Sequence, residues 1–240
     1  MSSSPKFGTD EWLRHVRSTP PVRDPLGRSR PTSQFSPYSR HLGRNVGTEG
    51  GNELTAFLLL EALQSCGLVA WFKEQPFEED NRTPDFLFQW HTGMRYVAEV
   101  KSAKFITDEV KAYLEEMDAL VKGVGMAYVV WTDREHLREP LWSNVRKIDK
   151  ELSADHDEKV TERLIALLQA GDTTLAQLAH EGVDADAVLH AVAQGRASFD
   201  FTGRWNTRTV ISEKPHEAAF SKLLGARHDP EQWWNALSDL

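Results

Sequence analysis

Hydrophobic positions along this chain change period several times, and the changes mark out its elements. Gly50-Gly51-Asn52 offers a break and a helix start, and Leu54, Phe57, Leu58, Leu60 and Leu63 then predict a helix with a broad apolar side over residues 52–66. Val69 to Phe72, continued by Gln75-Pro76-Phe77, reads as a strand or its approach. Thr83 to Trp90 alternates, with Phe86, Phe88 and Trp90 on one face and Asp85, Leu87 and Gln89 on the other. His91-Thr92-Gly93 is a turn, and Met94 to Lys101 is a second alternating strand. Thr107 starts a helix whose first turn carries Asp108 and Glu109 and whose stripe is Val110, Tyr113, Leu114, Met117 and Val121. Gly123 and Gly125 end it, Ala127 to Trp131 reads as a buried strand, and Thr132 is placed to cap another short helix. The order α-β-β-β-α-β predicts a mixed α/β layer fold.

A second unit is expected from residue 151, with helices over 158–169, Thr173 to His180 and Asp184 to Gln194. Gly195 to Phe201 and Arg208 to Ile211 are then expected to pair as a ribbon, and three short helices followed by a ribbon is winged-helix topology. Residues 1–49, rich in Pro, Ser and Arg and without a sustained period, read as a basic, loosely ordered arm. The predicted division is therefore 1–49, 50–150, 151–212 and a tail over 213–240.

Composition narrows the class. The 240 residues are 27% charged and 40% hydrophobic, enough for a real core, and no run approaches the length of a membrane span. The N-terminus shows no apolar signal region, and the single cysteine, Cys66, excludes an intrachain disulfide and a cysteine zinc cluster. A reduced, cytoplasmic protein is expected. The net charge of −8 splits into about +4 over residues 1–50 and about −12 over the rest, which argues against nonspecific coating of nucleic acid.

The chemistry concentrates in Pro84-Asp85 and Glu99-Val100-Lys101. With a three-residue loop, Trp90 pairs with Met94 and cross-strand partners sum to 184, so Asp85 falls opposite Glu99 and Thr83 opposite Lys101. Two carboxylates and an ammonium then share one face at one end of the sheet. Facing carboxylates repel unless a hard cation lies between them, and a neighbouring lysine can orient water or stabilise developing negative charge. A surface ion-pair ladder would show the same three residues. Glu53 weighs against the ladder, because it sits on the helical side of Phe57 and Leu60, where an unpaired charge is expensive.

The series Glu53, Gln75-Pro76, Thr83-Pro84-Asp85-Phe86 and Glu99-Val100-Lys101 resembles the PD-(D/E)xK nuclease superfamily, and more closely the TnsA-like endonuclease subunits of Tn7-like heteromeric transposases. The resemblance extends through Val129 to Asp133 and Leu137 to Asn144 into 158–212, covering roughly residues 50–212. It implies a restriction-endonuclease-like mixed sheet flanked by helices, followed by a winged-helix domain. It further implies that Asp85 and Glu99 ligate one or two Mg²⁺ ions (Mn²⁺ substituting) with the Val100 carbonyl, that Glu53 completes the acidic set, and that Lys101 assists the attacking water. Glu49 and then Glu61 are the other candidates for the helix carboxylate. The implied activity is hydrolysis at transposon 5′ ends in double-stranded DNA, beside a DDE-type transposase and an AAA+ ATPase regulator. A stand-alone restriction or defence nuclease and a catalytically silent adaptor are the alternatives.

Other residues divide between roles. Gln75 suits either a DNA or water contact or a turn-stabilising amide; Lys104 and Lys111 read mainly as solvated. In the expected ribbon, Arg196, Arg204 and Arg208 are the DNA candidates, with Trp205 at the tip, whereas the third helix turns Asp184, Asp186, His190 and Gln194 outward. The tail carries Trp233, Trp234 and Leu237, an aromatic handle for its own domain or for a partner.

Overall fold

The first well-defined helix lies inside the segment expected to be an arm. The computed structural model describes residues 5–23, 33–79, 81–215 and 217–224. Helix α1 (Asp10–Ser18) starts where the Thr9 hydroxyl accepts from the Trp12 N–H, and it buries Trp12, Leu13 and Val16. Those three apolar residues share one side of a helix, a pattern too short to stand out among the prolines and arginines around it. Short strands follow: β1 (Gln34–Phe35) pairs with β4 (Thr48–Glu49), and β2 (Tyr38–Ser39) with β3 (Arg44–Asn45). The described part of residues 5–49 is thus packed structure rather than a loose arm.

The central sheet follows helix α2 (Gly50–Ser65). Its strands β5 (Val69–Glu74), β6 (Phe86–Trp90), β7 (Arg95–Lys101) and β8 (Ala127–Thr132) lie in the order β5-β6-β7-β8. The first three are antiparallel; helix α3 (Asp108–Lys122) crosses over so that β8 runs parallel to β7. The register of the β6–β7 hairpin is the expected one, with Phe86 opposite Ala98 and Gln89 opposite Arg95. Trp90 donates to the Met94 carbonyl at 2.8 Å, and Gly93 takes φ +94°, which a side chain would resist. Thr132 caps only a turn, its hydroxyl accepting from the Glu135 N–H. The next helix, α4 (Leu141–Glu151), begins after Pro140 and buries Leu141, Val145 and Ile148, one stripe at i, i+4 and i+7.

Both sheet faces are covered, which is why strand burial does not simply alternate. Phe72, Phe86, Phe88, Trp90 and Trp131 face α2 and the C-terminal helices. Leu87 and Val97 face the other way, against Trp12, Leu13 and Val16 of α1 and Met117 and Val121 of α3.

Beyond α4, helix α5 (Glu158–Gln169) has the expected bounds, and α7 (Ala185–Ala193) is capped by the Asp184 side chain. The stretch between them is β9 (Thr173–Thr174) followed by α6 (Leu175–His180), so its first two residues are strand rather than helix. The expected ribbon also differs. Strand β10 (Val210–Ile211) pairs with β9, and the 195–201 stretch contributes only a bridge from Ser198 to Ser212. Apolar burial decides this: Ala197, Phe199 and Phe201 turn into the core instead of forming an exposed hairpin arm. Trp205 is likewise no exposed tip, since its ring meets that of Phe199 at 4.7 Å. His190 points inward, with Nδ1 2.8 Å from the Glu151 carbonyl oxygen.

One apolar core runs continuously from the sheet and α2 into α5, α6 and α7. At one contact, Gly195 lies so close to α2 that a Cβ would sit 1.9 Å from the Ser65 carbonyl oxygen. The end of the described chain closes over the sheet: α8 (Glu217–Phe220) buries Phe220, and Trp131 Nε1 donates to the Leu223 carbonyl at 2.7 Å. Residues 231–237, the expected aromatic handle, lie outside the described residues. Among the described residues no helix is long and apolar enough to cross a membrane.

Candidate active site

Four side chains separated by up to 48 positions come together at the end of the β6–β7 hairpin. Asp85 immediately precedes β6. Its carbonyl accepts from the Gln75 N–H at 2.8 Å, and its Oδ2 accepts from the Val100 N–H at 2.7 Å. Asp85 therefore grips strand β7 between Glu99 and Lys101. Glu99 is 2% exposed, its Oε1 accepts from the Lys101 ammonium, and its Oε2 is buried with no hydrogen-bond partner. Lys101 is partly buried and lies 5.9 Å from the centre of the Tyr113 ring, whose hydroxyl faces Glu99.

Glu53 arrives from the first turn of α2. It is buried, its Oε2 accepts from the Glu49 N–H, and its carboxyl hydrogen-bonds that of Asp85. Glu49 instead pairs with Arg23 at 3.0 Å. Glu61 sits two turns further along α2, accepting from Ser39 and from the Arg40 N–H. Geometry thus singles out Glu53 among the three helix carboxylates.

The electrostatics follow from burying three carboxyls around one ammonium. Burial pushes Glu53 from 4.5 up to about 9, with the Asp85 charge adding to the rise. Burial also raises Asp85, opposed by Lys101 and the Val100 N–H. Glu99 is pushed up to about 7, by burial first and then by Asp85. For Lys101, burial acts to lower the pKa, but Glu99, Asp85 and Glu53 together outweigh it and hold the ammonium charged. Glu53 and Asp85 behave as a pair sharing one proton, with Glu53 the donor.

Among the described residues no three His, Cys, Asp or Glu side chains are already arranged as a metal cage. The donor chemistry still fits a hard cation. Oxygen donors converge, one of them (Glu99 Oε2) has no partner, and the carboxyls are held back from ionising by desolvation and mutual repulsion. Mg²⁺ retains several waters and takes only one or two carboxylates from its protein, so a full cage is not required. Asp85 and Glu99 are the residues that would hold it, with Glu53 and the Val100 carbonyl adjoining.

The remaining candidates scatter. Gln75 lies beside the site: it is 2% exposed, neither amide atom has a partner, and its backbone takes φ +40°. Strain of that kind persists where surrounding contacts over-determine it. Here the Gln75 N–H is bound to Asp85, and its carbonyl to the Val22 N–H at 3.1 Å. Arg196 pairs with Glu158 at 2.7 Å, in a different region, and Arg204 and Arg208 are exposed next to β10. Cys66 is partly buried, its thiol pushed up to about 12 by desolvation, which suits an inert packing role.

Tyr113 and Arg82 belong to the site's surroundings and were not singled out by the pattern. Tyr113 counts as one member of an apolar stripe, and Arg82 falls in a polar turn. The signal for Arg82 is its position three residues before Asp85. Asp133 accepts from Ser102 Oγ at 2.6 Å and the Ala103 N–H at 2.9 Å, which ties down the chain leaving Lys101. Comparison with protein-family models and with curated proteins finds no match.

Proposed function

We propose that this chain is a divalent-cation-dependent DNA endonuclease of the PD-(D/E)xK type, acting as the TnsA-like subunit of a heteromeric transposase. The observation that carries the reading is the convergence of Glu53, Asp85, Glu99 and Lys101 from a helix, a loop and a strand. Three buried carboxyls around one lysine destabilise a fold unless the cluster has work to do. The sheet, with two antiparallel pairings and a parallel fourth strand reached through α3, supports a restriction-endonuclease-like fold. The order α5, β9, α6, α7 and β10, with β9 paired to β10, supports a winged-helix reading of 151–212.

When bound, Mg²⁺ or Mn²⁺ supplies Lewis acidity and charge neutralisation to the phosphodiester. The chain supplies the rest. Asp85 is oriented by the Val100 N–H on one side and by the Glu53 carboxyl on the other, so its carboxylate does not rotate at random. Lys101 keeps its proton under the pull of its acidic neighbours, which favours stabilising the charge that develops on oxygen over abstracting a proton from water. Glu99 steers that ammonium. Glu53 holds the proton shared with Asp85 and gives it up when positive charge arrives.

Double-stranded transposon-end DNA is the substrate under this reading, with a DDE-type transposase cutting the opposite strand and an AAA+ ATPase regulating both. The acidic body favours delivery by such partners over tight binding by this chain alone. The test is nicking of transposon-end DNA with Mg²⁺ or Mn²⁺, with and without the partner transposase, by wild type, Asp85→Ala and Lys101→Ala. Cleavage by wild type and by neither variant supports the assignment. Cleavage that survives both substitutions removes these residues from the reaction, and cleavage independent of the transposase favours a stand-alone nuclease.

A further inference from the structure

Gln75 is fixed by its backbone while its side chain is left unmet. It stands opposite Asp85, one step past the Glu74–Phe86 pair of the β5–β6 ladder. Its N–H donates to the Asp85 carbonyl at 2.8 Å, and its own carbonyl accepts from the Val22 N–H at 3.1 Å. These bonds hold it at φ +40°, a left-handed conformation that a side chain resists. The residue is 2% exposed, and among the described residues neither Oε1 nor Nε2 has a hydrogen-bond partner. A primary amide offers two donors and an acceptor, and leaving them unmet in the interior adds a desolvation cost to the backbone strain. Glycine would avoid both costs, so packing alone does not account for glutamine here. The cleft lined by Phe7, Trp12, Val22, Pro76 and Phe77 takes the two residues after Gln75 and not Gln75 itself.

Buried amides of this kind are commonly met by ordered water, and the neighbouring Asp85 decides which water. Three buried carboxyls already crowd that end of the sheet. A fourth would add repulsion, whereas a neutral amide accepts a hydrogen bond without it. Mg²⁺ keeps several of its waters when it binds, and their polarised hydrogens need acceptors outside the ligand set.

We propose that Gln75 anchors the water shell of a cation held by Asp85 and Glu99, Oε1 accepting from a cation-bound water and Nε2 donating to an outer one. The inference rests on the cation-dependent nuclease reading of the cluster. It adds a neutral positioning residue that acts on the cation through water rather than by ligation.

The test is calorimetric titration of the full chain with Mn²⁺, without DNA, beside urea unfolding in chelator. Gln75→Met keeps the length of the side chain and removes both polar atoms, and it is expected to weaken Mn²⁺ binding about tenfold. Its unfolding midpoint in chelator stays at or above that of wild type, because the amide it removes bonds to no described residue. Gln75→Gly also relieves the left-handed backbone, so it raises that midpoint while weakening Mn²⁺ to the same extent. Stability and cation affinity then move in opposite directions, which loss of a turn-stabilising amide does not produce. Mn²⁺ affinity equal to wild type in Gln75→Met overturns the proposal and leaves an ordinary buried-water site. A lowered midpoint in both variants also overturns it, by making the amide part of the fold. The nuclease reading fails separately, if wild type binds Mn²⁺ but leaves transposon-end DNA uncut beside its partners; a wild type that binds no Mn²⁺ overturns both.

Discussion

Replacing Glu53 by glutamine should remove a proton-linked instability from the fold. Glutamine matches the protonated acid in shape: its amide can donate to Asp85 and accept from the Glu49 N–H, as Glu53 does. In the unfolded chain a glutamate loses its proton near 4.5, whereas in the folded chain Glu53 keeps it to about 9. An acid raised in this way leaves stability intact at pH below its unfolded value and erodes it as pH climbs toward the folded one. Each pH unit in that window costs about 1.4 kcal/mol per extra proton held, so wild type should lose about 4 kcal/mol relative to Glu53→Gln between pH 5 and pH 8. Glu99 adds a similar slope below pH about 7, but it is present in both proteins and cancels in the difference. The assay is urea unfolding of both chains in chelator at several pH values, read as the difference in unfolding free energy. A difference that grows in favour of the glutamine variant supports the shared-proton pair. A difference flat in pH refutes it.

Three other outcomes follow from the same geometry. Lys101→Met should lower cleavage by about 100-fold or more and leave Glu99 protonated to higher pH, visible as a shifted carboxyl resonance in a pH titration. Gln75→Gly should raise the unfolding free energy by about 1 kcal/mol, because glycine accepts φ +40° without strain, while cleavage falls if the buried amide serves the site. Gly195→Ala should destabilise by about 3 kcal/mol or more or prevent soluble expression, since its Cβ would meet the Ser65 carbonyl at 1.9 Å. A normal unfolding midpoint for that variant contradicts the tight seam between α2 and the chain after α7.

The parts of this fold that were legible in the sequence are those fixed by short-range geometry. A three-residue loop with glycine at its left-handed position sets the hairpin register, and that register puts Asp85 beside Glu99 and Lys101. Glu53 was legible for a different reason: a carboxyl on the apolar side of a helix has to be neutralised or hydrogen-bonded, and here it keeps its proton and shares it with Asp85. Long-range packing was not legible. Helix α1 is stabilised by the second face of the sheet, reached across more than 60 residues, and its own short stripe gives no hint of that face. The 195–212 region reads as a polar ribbon with aromatic decoration, yet burial of Phe199, Phe201 and Trp205 breaks the expected pairing and leaves β10 to β9. His190 looks polar and helical, and only the nearby end of α4 turns it inward to the Glu151 carbonyl. Arg82 and Tyr113 escaped notice because cation–ring contacts between a turn and a helix leave no spacing pattern.

The central claim, that this acidic cluster is a cation site with protons standing where metal binds, is tested most directly by calorimetry of Mn²⁺ and Mg²⁺ binding. Titrations at pH 6.5 and pH 8, each in two buffers of different ionisation enthalpy, count the protons released. The expected result is binding that tightens with pH, releases about one proton per cation and disappears in Asp85→Asn. Binding that is indifferent to pH and survives Asp85→Asn, or no binding at millimolar cation, contradicts the account.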